Sequence, residues 1–162
     1  MAEQTTNFLS PLGFQLGVTK LPGVGFYAQQ VNLPGLSLPE ATQATPFVDA
    51  PVPGEKLVFE PFTMNFMIDE RMDNFIAVYD WLISLGFPND YTEFLDGRNR
   101  NLIHMSDAFL QILGAQNTVI RTLKFKDMFP INLGAITFQS TDQDVQYISA
   151  QADFRYTSFT IA

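Results

Sequence analysis

The sequence predicts a mainly β fold: an antiparallel β-sandwich or partly closed barrel with one mid-chain α-helix packed over one side or end. Three observations carry this. About six or seven stretches alternate apolar and polar residues with period two, one stretch alone switches to helical spacing, and helices nowhere alternate with strands. The last point argues against a doubly wound parallel sheet. The 162 residues are read as one domain spanning 1–162, long enough to bury a core, with a loose polar arm at 1–11 and an extended loop at 36–54.

Phe14, Leu16 and Val18 alternate with Gln15, Gly17 and Thr19, a first strand ended by Leu21-Pro22-Gly23. Phe26 to Val31 reads as a second strand, stopped by Leu33-Pro34-Gly35. From Ser37 to Gly54 the chain holds four prolines and no sustained period, so it is read as a long extended excursion with room for a short hairpin at its tip. A mobile linker is the alternative. Phe47, Val48 and Val52 are apolar groups that a free linker lacks, and burial against another subunit accounts for them.

The stretch Gly54 to Leu85 organises the rest. Phe62, Met64, Phe66 and Ile68 alternate with Thr63, Asn65, Met67 and Asp69, a strand with one face buried and one wet; Leu57 and Phe59 take the other parity. The phase changes at Glu60-Pro61, where a residue without an N–H suggests a bulge or bend. From Asp73, read as the N-cap, Phe75, Val78, Tyr79, Leu82 and Leu85 recur at helical spacing, and Gly86 and Pro88 are placed to stop the helix. Phe75, Tyr79, Trp81 and Leu82 are its expected core or interface residues, with Trp81 a packing residue rather than a ligand platform.

Asn89 to Asn101 is polar and read as irregular. Asp107–Leu113 and Val119–Lys126 form an expected hairpin around Gly114-Ala115-Gln116-Asn117, and Phe129-Pro130 is expected to end it. Ala135–Gln139 is read as a short strand, Ser140–Asp144 as a polar turn and Val145–Ile161 as the closing strand. In that last strand Ile148, Ala150, Ala152, Phe154 and Tyr156 share one face, and Gln151, Asp153, Arg155 and Thr157 the other.

Composition narrows the function. Charged residues are 16% of the chain against 46% hydrophobic, well below the roughly 25% charged usual for soluble domains, so much of the surface is neutral and suited to being covered by neighbouring copies. An aromatic core is the alternative use for the sixteen Phe. The net charge of −8 with only 9 scattered Lys and Arg argues against a nucleic-acid reader, though not against a surface that nucleic acid slides past. Absence of cysteine removes disulfides, thiolate metal sites and a cysteine nucleophile. A secretory signal pattern and a membrane-spanning apolar run are both lacking, so neither export by a standard signal nor membrane insertion is expected.

Catalytic chemistry finds no footing. His104 is the single histidine and has no cysteine to share a metal with. Asp69, Glu70 and Asp73 could be imagined as an acid/base or calcium group, but strand-end and helix-cap carboxylates are the plainer reading. Leu21-Pro22-Gly23-Val24-Gly25 is not followed by the helix a phosphate loop needs, and Ser37, Ser84, Ser106 and Ser140 lie in no nucleophile-elbow context. The expectation is a non-enzyme without cofactor or metal.

The order of an LPG turn, a long excursion, GEKLVFEPFTMNFMIDE, an FIAVYDWL helix, a hairpin, FPINLGAITF and a terminal DFRYTSFTI resembles the tail tube proteins of contractile-tailed, T4-like bacteriophages. Phe59, Glu60, Phe62, Thr63, Met67, Asp69, Glu70 and Trp81 match that family's strand-to-helix pattern. Phe129, Pro130, Asn132 and Gly134 match its aromatic-Pro-x-Asn-x-Gly segment. The likeness covers roughly residues 13 to 161. An acidic-aromatic ending is missing and Ile68 stands before the acidic pair, which leaves the main tube subunit and a relative at the tube's baseplate end both open.

The resemblance implies a structural virion protein assembled in the host cytoplasm. Its hexameric rings would stack into a hollow tube inside a contractile sheath, and the inner sheets of the subunits would join into one barrel around a channel for DNA ejection. The implied partners are sister copies, the tail sheath protein, baseplate and tail terminator proteins, and DNA that passes without specific binding. Thr63 and Asn65 of the core strand and Gln151, Asp153 and Arg155 of the last strand are candidates for lining that channel, the alternative being an ordinary solvated sheet face. An acidic subunit repeated around a bore would repel phosphates. A baseplate tube initiator or a secretion-system tube subunit would share this fold, and a soluble β-sandwich binding module is the rival from another class.

Overall fold

A computed structural model of the chain describes residue 9 and residues 11–102, 104–140 and 147–162. Most of the expected arm at 1–11 and the expected turn at Ser140–Asp144 lie outside the described residues, as does the start of the closing strand at Val145. The strands are β1 (Phe14–Val18), β2 (Ala28–Val31), β3 (Leu36–Ser37), β4 (Glu40–Gln43), β5 (Ala50–Pro53), β6 (Val58–Phe59), β7 (Phe62–Met67), β8 (Ser106–Leu113), β9 (Val119–Leu133), β10 (Ser149–Arg155) and β11 (Ser158–Ile161). The helices are α1 (Pro22–Phe26), α2 (Asp73–Gly86) and α3 (Tyr91–Asn99).

Two antiparallel layers share one strand. The first half of β9 pairs with β8 on one side and β11 on the other, and β1 extends that layer beyond β8. The second half of β9 pairs with β10, followed by β7 and β2. β9 bends between the layers at Asp127, whose φ of 55° is left-handed and whose neighbourhood breaks the β8–β9 register. β10 and β11 follow β9 through that bend as two segments of one line, Arg155 opposite Phe129 and Ser158 opposite Lys126. The mainly β, partly closed architecture with a mid-chain helix is the one the alternating pattern predicts.

The period-two faces meet in the middle. Leu16, Val18, Leu110, Leu123 and Phe125 from the first layer face Phe62, Met64, Phe66, Ala152 and Phe154 from the second, all buried. The Phe62 and Phe125 rings lie 5.0 Å apart between the layers, and Trp81 of α2 closes on Phe154 at 6.4 Å. Buried aromatic pairs at such distances contribute about 0.5–1.5 kcal/mol each beyond the area they cover.

Several local expectations are corrected. Phe26 ends the short helix α1 rather than starting a strand; Pro22 fits its first turn, where an N–H has no partner to lose. Asn89–Asn101 contains α3, which starts at Asp90: its carboxylate accepts from Thr92 N–H at 2.6 Å, while the Glu93 carboxylate takes the Asn89 N–H at 3.1 Å. Phe129-Pro130 does not end β9, because Pro130 sits opposite Phe154 beside a register shift where a missing donor is tolerated. Ala135–Gln139 forms no strand.

The helix phase is also shifted. Asn74, Val78, Trp81 and Ser84 are the buried stripe of α2; Phe75 and Leu82 pack half-buried against the core, and Tyr79, expected with them, is 51% exposed. Polar residues occupy the stripe because each is satisfied there. Asn74 Nδ2 donates to the Met67 carbonyl at 2.6 Å while its Oδ1 accepts from Phe75 N–H at 2.8 Å, and the Ser84 hydroxyl donates to the Asp80 carbonyl at 2.7 Å. Asp73 is therefore the first helical residue rather than the cap; the cap position is Met72, left-handed at φ 60°.

Candidate assembly surfaces

With one face of each layer in the core, the other faces are open. On β7 and β10 the register sets Asn65 opposite Gln151 and Thr63 opposite Asp153; β2 brings Gln30 opposite Asn65, and β9 brings Asn132 opposite Asp153. Four of the five channel-lining candidates thus stand together. Arg155 stands at the end of the same strand, its guanidinium donating to the Phe59 carbonyl at 3.1 Å. Gln30 and Asn132 complete the surface and were not read from the sequence as lining residues: Gln30 stood in an expected strand without known neighbours, and Asn132 lay beyond Phe129-Pro130, where the strand was expected to end.

The surface is laced by amides. Asn132 Nδ2 donates to Asp153 at 2.9 Å, Gln151 Nε2 to the other carboxylate oxygen at 3.1 Å, and Asn65 Nδ2 to Gln30 at 3.3 Å. Burial pushes the Asp153 carboxyl up, but the hydrogen bonds from Asn132, Thr63 and Gln151 together outweigh it and hold the group below its ordinary range. Asp153 and Arg155 offset each other, so this face is near neutral, and the acidic surplus of the chain lies elsewhere. An acidic, phosphate-repelling face is not what these side chains make.

Both edges of this layer are unpaired among the described residues: β2 pairs only with β7, and the second half of β9 only with β10. Open edges of this kind template pairing with another chain.

The excursion at 36–54 is a hairpin. β4 and β5 pair from Glu40–Pro53 to Gln43–Ala50, and β3 and β6 pair beneath them. Gly54 N–H donates to the Pro39 carbonyl at 2.7 Å, and a Cβ on Gly54 would stand 2.1 Å from that oxygen, so only glycine closes the base. Phe47 at the tip is 98% exposed, Val48 is exposed and Val52 half-buried. Among the described residues no metal-ligating group of three side chains occurs, and no helix is long and apolar enough to cross a membrane.

No family model matches the chain. The tail tube terminator protein of Enterobacteria phage T4 is 27% identical over 139 residues, 83% of this chain and 76% of that protein. A chain in the structure of the anti-feeding prophage cap, the tube terminating cap, superimposes with a TM-score of 0.71 at 13% identity, covering 100% of this chain and 99% of the other. The chain has the tail-tube fold. A chain of the sheath–tube complex of the extracellular contractile injection system PVC, in its extended state, shares that fold at a TM-score of 0.64 and 14% identity, over 97% of this chain and 93% of the other. The resemblance to contractile tail tube proteins read from the motifs therefore holds in sequence and in fold. The known proteins that this tail-tube-like chain matches are structural parts of contractile machines.

Proposed function

We propose that this chain is a structural subunit of a contractile phage tail that closes into a ring on the tail tube, and that it stands at the tube's end as its terminator. The observation that carries the ring is the layer β9–β10–β7–β2, with an apolar face in the core, an amide-rich face in the open and an unpaired strand at each border. Joining β2 of one copy to β9 of the next leaves no edge exposed and extends the amide face around a bore. The likeness to a tail tube terminator and to a tube terminating cap supports the end position.

In this reading Gln30, Thr63, Asn65, Asn132, Gln151 and Asp153 line the channel, with Arg155 at its rim. DNA passes them on its way to the host without specific binding, because a neutral surface offers phosphates neither a partner nor a barrier. Six copies, a surrounding sheath and assembly in the host cytoplasm belong to the same reading. The polymerising main tube subunit is a second reading, favoured by the match to the PVC sheath–tube complex.

Negative-stain microscopy of the purified protein separates them. Single rings, placed at one end of tails by labelled antibody, are the expected result. Tubes many rings long would select the second reading, and a monomer that persists in concentrated solution would sink both.

A further inference from the structure

The open face of the other layer has no part in that bore. Register places Gly17, Phe109, Lys124 and Thr160 in one row across β1, β8, β9 and β11, with Lys126 and Ser158 paired beside it and Asp107 at the neighbouring register shift. These rows enclose a trough of about 560 Å³. Its floor is aromatic: Phe109 is 39% exposed and its ring lies across Gly17, where a Cβ would come within 2.3 Å of Phe109 Cζ. Two of the chain's 9 basic residues, Lys124 and Lys126, rise beside it. Neither forms an ion pair among the described residues, and the one carboxylate in the trough, Asp107, already accepts from the Asp127 N–H at 3.3 Å. The trough has one exposed aromatic ring in its floor, hydroxyl and amide side chains around it and a net positive rim.

The hairpin is its complement. Residues 37–54 contain Glu40 and Asp49 and no lysine or arginine. The tip holds its shape by its own bonds, the Thr45 hydroxyl donating to the Val48 carbonyl and the Val48 N–H returning to Thr45 Oγ1 at 3.2 Å. Phe47 and Val48 are therefore presented on a closed turn, with Asp49 following, which lowers the ordering cost of docking.

We propose that the hairpin tip of a second copy of this chain docks in this trough, Phe47 against Phe109 and Asp49 beside Lys124 and Lys126. The proposal rests on the ring reading and names where one copy grips the next. A second groove, apolar and of about 460 Å³, runs between the end of α2 and the second half of β9, lined by Leu82, Leu85, Met105, Phe129 and Ile131 among others. It could seat Phe47 but offers no cation to Asp49, so charge complementarity selects the trough.

The absence of native cysteine makes the test direct. The full-length protein carrying Phe47→Cys with Lys124→Cys is expected, on mild oxidation, to give a reducible ladder running beyond dimers, whereas Phe47→Cys alone stops at dimers. A ladder from Phe47→Cys with Met105→Cys instead would place the tip in the groove and overturn the proposal. Lys124→Glu with Lys126→Glu should lower ring yield about tenfold, and adding Asp49→Lys should recover it. Rings without a ladder refute the docking and leave the ring standing. If the unmodified protein forms no ring, the ring reading falls and the docking falls with it.

Discussion

Phe62 and Phe47 are the same side chain on neighbouring stretches, yet Phe62 is 0% exposed and Phe47 is 98% exposed. Phe62 is paired with Phe154 of β10, its ring lies against Phe125 of the facing layer, and Trp81 is nearby through Phe154. Phe47 stands at the tip of a hairpin two strands wide, and among the described residues no second layer covers that tip. The difference separates a body that buries its aromatics from a hairpin that leaves one in the open; in the proposed reading, that open surface is kept for a neighbouring copy.

That separation can be broken at the body. Phe62→Ala should destabilise the isolated subunit by about 3–5 kcal/mol, much of the 5–15 kcal/mol typical of a domain, as read from urea unfolding. A cost near zero would mean that the core is not where the fold is held.

It is sharpened at the junction. The Tyr156 hydroxyl donates to the Glu60 carbonyl at 2.8 Å, and Glu60 in turn exchanges bonds with Gly35, tying the root of the hairpin to the link between β10 and β11. Burial, with Glu60 adding to it and Arg155 opposing it, pushes the Tyr156 phenol up to about 12. Because the folded value is the higher one, this contribution is fully present below the unfolded pKa of about 10 and is lost as pH rises through about 12. Tyr156→Phe should cost about 1 kcal/mol at pH 8 and flatten the loss of stability between about pH 10 and 12, measured as unfolding midpoints. An alkaline limb as steep as the parent's would exclude Tyr156 from it.

The smallest effect on folding is expected at the hairpin itself. Replacing residues 37–54 by a short Gly-Ser link should change stability by no more than about 0.5 kcal/mol while abolishing rings. A replaced chain that fails to fold would show that the hairpin belongs to the core.

Much of this was legible in the residues. The alternation in β7 and β10 marks one face for the core whatever the neighbours are, since successive side chains of a strand must point to opposite sides. Less legible was α3: its residues include Gly97 and carry little amphipathic pattern, and the readable signal was the Asp90–Glu93 capping pair. The run of β9 through Pro130 was not legible at all. Whether a proline ends a strand depends on whether a neighbour needs its missing N–H, and that neighbour is placed by β10, far along the chain.

By itself the sequence determined the fold class and the apolar parities of the long strands, because these follow from local periodicity. Only the tertiary structure decided that Asn74 and Ser84 are buried while Tyr79 is not, that Gln30 and Asn132 join Thr63, Asn65, Gln151 and Asp153 on one face, and that Lys124 and Lys126 flank Phe109 on the other. Each of these depends on acceptors and neighbours supplied by strands remote in sequence, and only closing the chain into two layers brings them within reach.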